Sequence, residues 1–130
     1  MAIVQKNHIK LSNPIKSKLK LIEVGSLIDT ETDYLQIPKS IAIKLDLNES
    51  GNRRVNLTDG SILDVPYIGP IKIQFGNRSC FTGAVIIGDQ VVMGMIPLKD
   101  LDLVINQKTK TLEVNPLSSN LPGSVAKVAK

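Results

Sequence analysis

At 130 residues and 14.1 kDa the chain suits one domain, and with aromatics at 3% and no Trp its core must come from Ile, Leu and Val, a bias that favours strands. The net charge of +4 is gathered toward the ends, in Lys6, Lys10, Lys16, Lys18 and Lys20 before the first acid, Glu23, and in Lys127 and Lys130; with only Tyr34, Tyr67, Phe75 and Phe81 to stack bases, solvated faces are favoured over a nucleic-acid surface. A lone cysteine, Cys80, rules out an internal disulfide, and no run approaches the roughly 18 apolar residues of a membrane span or forms a cleavable leader in residues 1–10, so a cytoplasmic protein with no membrane contact is expected.

Ile9 and Leu11, then Leu19, Leu21 and residues 23–27, alternate with Lys in the period-two pattern of half-buried strands, with Asn13-Pro14 as the turn between the two runs. The second run becomes wholly apolar at Leu27-Ile28, as expected of a strand that enters the interior, and then meets Asp29. An acid buried at a strand end is costly unless something uses it.

Residues 34–37 read as a short strand and residues 38–45 as a short helix, because Pro38 at a first helical position sacrifices no hydrogen bond and Ile41 and Leu45 share a face. Residues 48–52, around Gly51, read as a loop, and a strand begins at Arg53. Thr58-Asp59-Gly60-Ser61 is the strongest hairpin signal in the chain, since Asp-Gly supplies the positive φ that a tight turn requires. Strands follow at residues 62–68, 71–75 and 79–87, with Gly69-Pro70 as a bend or bulge and Gly76-Asn77 as a turn. Val91-Val92-Met93 is a short apolar strand that runs into Gly94, followed by a helical turn at residues 97–101 and a last hairpin pairing residues 103–105 with 111–114. The fold class is therefore all-β, mainly strands with one short helix and a helical turn. Residues 1–116 are expected to form the domain, and residues 117–130, with no convincing period, an arm or a partly disordered tail.

Two other chemistries fail on spacing. Asp29, Glu31 and Asp33 alternate, which on a strand would place three carboxylates on one face, but a calcium loop counted from Asp29 has Tyr34 where Gly is needed and Ser40 where Glu is needed. His8 is the sole histidine, so neither a two-His zinc site nor a histidine-dependent triad can be built. No metal or other cofactor is called for.

The ordered motifs resemble those of the small prokaryotic, retropepsin-like clan AA aspartic peptidases. Leu27-Ile28-Asp29-Thr30 is similar to their catalytic loop, Ile37-Pro38 through Leu47 to the helix that follows, Leu57-Thr58-Asp59-Gly60-Ser61 to their flap turn, and Val92-Met93-Gly94-Met95-Ile96-Pro97-Leu98 to their second conserved block. The resemblance implies a closed, retropepsin-like barrel and a homodimer in which one Asp29 from each copy meets its twin, forming a dyad that cleaves peptide or protein substrates with activated water. It also implies that Thr30 braces the two loops, that Asp59 and Gly60 fold over substrate, and that Gly94 supports the loop by close backbone approach. The chain departs from the family at Glu31, where the motif has Gly. That glycine leaves room for substrate and tolerates angles a side chain can forbid, so Glu31 either contributes to a subsite or marks a degenerate fold kept as a peptide- or protein-binding module.

Overall fold

The computed structural model describes the backbone of residues 3–129 and the side chains of residues 7–129. In chain order the elements are β1 (Ile3–Ser12), β2 (Ile22–Asp29), β3 (Leu35–Ile37), α1 (Lys39–Lys44), β4 (Glu49–Asn56), β5 (Ile62–Phe75), β6 (Arg78–Ile86), β7 (Val91–Met93), α2 (Met95–Asp100), β8 (Leu103–Asn106) and β9 (Thr111–Val114). The main sheet runs β1-β2-β7-β3-β6-β5-β4, and β1 also pairs with β5, so six strands close into a barrel while β4 projects from β5 as a hairpin arm. Closure removes the free edges that would otherwise template pairing with other chains.

The connection that matters for the site is β7, which lies parallel to β2 on one side, with Leu27 opposite Val92 and Ile28 opposite Met93, and antiparallel to β3 on the other, with Gln36 opposite Val92. Alternation sorts the side chains: Ile28, Leu35, Ile37, Val91 and Met93 point into the core, whereas Gln36 and Val92 face outward. Ile9, Leu11, Ile68, Ile71 and Ile73 fill the rest of the interior, so the β-branched composition does become the core.

Three element boundaries differ from the sequence reading. Leu19 and Leu21 lie outside any strand, 37% and 43% exposed, because residues 13–20 form a loop held onto the end of α1 by Asn13, whose side-chain amide donates to the Leu45 carbonyl at 2.8 Å. Residues 49–52 belong to β4, with Gly51 at φ +128° absorbing a register shift against β5. The two segments on either side of Gly69-Pro70 are a single strand, β5, whose register shifts between Ile68 and Ile71, where proline's missing donor leaves no ladder bond unmade.

Arg78, which opens β6 after the turn at Gly76-Asn77, is 1% exposed. Its Nη2 donates to the Ser118 carbonyl, while Nε and Nη1 have no hydrogen-bond partner among the described residues. Beside it Asp102 accepts from the Ser118 hydroxyl, from Asn115 Nδ2 at 3.0 Å and from Gly123 N at 2.8 Å. Those bonds, the Ser118 hydroxyl first, pull its carboxyl down to about 2. Cys80 is buried, and desolvation, reinforced by the Asp100 charge, pushes its thiol up to about 12.

Candidate active site

Asp29 is the last residue of β2 and is only 3% exposed. Burial of an acid there follows from the strand: Ile28 fills the core, and the chain leaves the sheet immediately after Asp29. The carboxylate is held locally, since its Oδ1 accepts the Glu31 N–H at 2.9 Å. The backbone carbonyl of Asp29 accepts the Thr32 hydroxyl at 3.1 Å and the Thr32 N–H at 3.4 Å, closing the loop into a tight turn.

The far side of the loop is fastened to the start of α2. Met95 N donates to the Thr32 carbonyl at 2.8 Å and Ile96 N to the Asp33 carbonyl at 2.9 Å, so two first-turn amides that have no partner within the helix are satisfied by the acidic loop. Gly94 makes this contact possible. A Cβ there would stand 2.7 Å from the carbonyl carbon and oxygen of Asp33 and from the carbonyl oxygen of Tyr34, and none of these backbone atoms can swing aside. Its φ is −90°, so room rather than backbone conformation dictates glycine.

Glu31 is exposed at the rim and Thr30 half-buried beside Asp29. The Thr30 hydroxyl makes no hydrogen bond among the described residues. Glu31 does not have the positive φ that favours glycine; among non-glycine residues described, only Asp46, Asp102 and Lys110 do. The concern that a side chain at this position strains the backbone is thus removed, and what remains of the departure is bulk and charge. Because residues 30 and 31 form a turn, Asp29, Glu31 and Asp33 do not line one strand face, and no group of three or more metal-ligating side chains occurs among the described residues.

Asp29 opens into a cavity of about 430 Å³ on the outer side of the barrel. Gln36, Val85 and Val92 join it on the floor, Tyr34 and Ile87 form the sides, and Val55, Leu57 and Thr58 of the β4–β5 hairpin form the roof. Glu31, Asp33, Arg54 and Asn56 also line it, so aliphatic and polar side chains together surround one buried carboxylate, a mixture that suits a peptide, which presents both apolar side chains and backbone polar groups. A larger hollow, about 550 Å³, lies against α1, but its charged groups Glu23, Lys44 and Asp89 are all exposed and it holds no buried polar group. The chemistry therefore points to the Asp29 cavity.

Asp59 and Gly60 form the hairpin turn beyond the roof and do not themselves line the cavity. Gly60 has φ +88°, and its N–H donates to the Leu57 carbonyl at 3.0 Å. Asp59 accepts the hydroxyl and the N–H of Ser61, which hold its carboxyl below the usual range. Lower on the arm Arg54 makes a forked contact with Asp64, at 2.9 and 3.3 Å, which lowers the Asp64 carboxyl in turn. Tyr34, which lines the cavity, meets Tyr67, and Arg53 stacks on Tyr67; Arg53 and Tyr67 sit on one face only through the β4–β5 register, which composition does not reveal.

No family model and no curated protein matches the sequence. Among solved structures, the chain is similar to the EIAV protease complexed with the inhibitor HBY-793, a retroviral enzyme, at 15% identity and a TM-score of 0.59 over 75% of this chain and 88% of that one. The fold is retropepsin-like: a closed, mainly β barrel with two short helices. No helix among the described residues is long and apolar enough to cross a membrane.

Proposed function

We propose that the chain is an aspartic-type endopeptidase that acts on peptide or protein substrates as a cytoplasmic homodimer, with residues 1–116 as the peptidase unit and 117–130 as its arm. The observation that carries this reading is Asp29, 3% exposed on the floor of a cavity roofed by a hairpin. A lone buried carboxylate has no chemical reason to sit there, whereas two brought together on a two-fold axis share a proton and divide the work. One takes a proton from water as the water oxygen attacks the scissile carbonyl carbon. The other donates its proton to the carbonyl oxygen; as the tetrahedral intermediate collapses, the first carboxyl passes its new proton to the departing nitrogen, the second takes one back from a hydroxyl of the intermediate, and the C–N bond breaks to give an acid and an amine. The unengaged Thr30 hydroxyl is available to the opposing loop of a second copy, and Gly94 keeps the whole loop in place.

Glu31 favours one second reading, a degenerate fold that binds peptides without cutting them, because two rim carboxylates in a dimer raise the cost of ionising the dyad. Both readings are tested together. The wild-type protein should cleave an unfolded protein between mildly acid and neutral pH, Asp29→Asn should lose at least about a thousandfold in rate, and Glu31→Gly should gain. Equal cleavage by Asp29→Asn would sink the peptidase reading, and binding without cleavage by wild type would select the degenerate module.

A further inference from the structure

Three of the chain's four aromatic residues, Tyr34, Tyr67 and Phe81, lie on the outer face of the barrel rather than in its core. Tyr34 lines the Asp29 cavity, while Tyr67 and Phe81 line an adjoining hollow of about 340 Å³ with Ser50, Pro70 and Gly83. The two tyrosine rings meet edge to face, centroids 5.7 Å apart, so a residue of one hollow touches a residue of the other. Tyr67 lies flat across β6 because residue 83 is glycine: a Cβ there would stand 2.0 Å from the Tyr67 hydroxyl oxygen.

Arg53 sits over this junction, its guanidinium carbon 4.0 Å from the Tyr67 ring centre and 5.9 Å from that of Tyr34. It is exposed and makes no hydrogen bond or ion pair among the described residues, in contrast to its neighbour Arg54, which Asp64 neutralises. A guanidinium stacked on a ring is oriented at little entropic cost and keeps its edge N–H groups for a planar acceptor, which a carboxylate fits with two parallel bonds.

We propose that Arg53, Tyr34 and Tyr67 form a subsite that selects an acidic side chain, Asp or Glu, in a polypeptide lying in the Asp29 cleft, to one side of the residues over Asp29. The subsite rests on the cleft's assignment as a peptide site, and the occupant follows from charge. Asp33 lines the Asp29 cavity and the cation that lines it, Arg54, is held by Asp64, whereas Arg53 stands over the two tyrosines with no ion pair among the described residues, so an acidic residue is favoured beside Arg53 rather than over Asp29.

The test compares peptides that differ only by Glu or Gln at each position around a cleavable core. Wild type should favour Glu by about tenfold in kcat/KM at one fixed position. Arg53→Gln should abolish that preference, so that the Glu and Gln peptides are cut at equal rates, Arg53→Glu should prefer Lys there, and Arg53→Lys should keep part of the Glu preference. An undiminished Glu preference in Arg53→Gln, or none in wild type, overturns the proposal. The same peptides, labelled and titrated against the Asp29→Asn variant by fluorescence anisotropy, read the subsite without turnover. Selective binding of the Glu peptide that Arg53→Gln removes would support the subsite even if no cleavage occurs and the peptidase reading falls. Cleavage without an acidic preference would sink the subsite alone, and no selective binding in either assay would sink it too.

Discussion

The floor and the roof of the Asp29 cleft are built on opposite principles. On the floor, β2, β7 and β3 are interleaved in the barrel wall, and the acidic loop is bound to α2 by two backbone hydrogen bonds that Gly94 alone permits. In the roof, β4 pairs with β5 only, and from Arg53 to Asp64 just Val55 and Leu57 are even half-buried. Under the proposed function the difference separates two tasks: a reacting group must be held to a fraction of an ångström, while the element over it must yield to admit a chain. Rigidity is spent where the acid is, and the hairpin is left with local turn chemistry.

The largest expected effect comes from damaging the floor. Gly94→Ala forces a methyl against fixed backbone and should cost about 1–3 kcal/mol in urea denaturation, with activity lost as the loop shifts. Wild-type stability in that variant would break the comparison. Next, native-state hydrogen exchange should find the paired amides of β2 and β7 slower than those of residues 52–63, on the order of a hundredfold or more after correction for intrinsic rates; equal protection would mean the roof is not the weaker part.

The smallest effect is a pH response confined to the roof. Asp59 and Asp64 both have carboxyls held below the usual range, by Ser61 and by Arg54 respectively, so their contribution to hairpin order is complete above the ordinary carboxylate pKa of about 4 and is lost as pH falls through their lowered values. Amide chemical shifts of Ser61 and its neighbours should move in that acid window, and Asp59→Asn should remove the Ser61 response. Because both groups are solvent-exposed and screened, global stability should change little.

The floor was more legible in the sequence than the rest. An apolar run ending in Asp29, a Pro-led helix and a Val-Val-Met-Gly strand are local patterns with one easy structural reading each. The hairpin turn was equally plain from Asp59-Gly60, but the extent of β4 was not, since Gly51 looks like a loop until β5 lies beside it. Arg78 was invisible for a sharper reason. A cation following Gly-Asn reads as a surface residue, and what makes it interior is a carbonyl at Ser118, in a segment with no period of its own. The Arg53 stack was missed similarly, as its partners converge only when three separate stretches of chain are laid side by side.

The parallel insertion of β7 between β2 and β3 also fixes a moment in the life of the molecule. As the chain is synthesised, Asp29 appears early, but β7 is the last of the barrel strands to be made and α2 comes after it. Until then the strand that ends in Asp29 has β1 on one side but not β7 on the other, and the loop lacks the two amides that take up its carbonyls. Contacts so distant in sequence form late. A growing chain therefore carries its acid unorganised, and the cleft comes into being only when the barrel is complete.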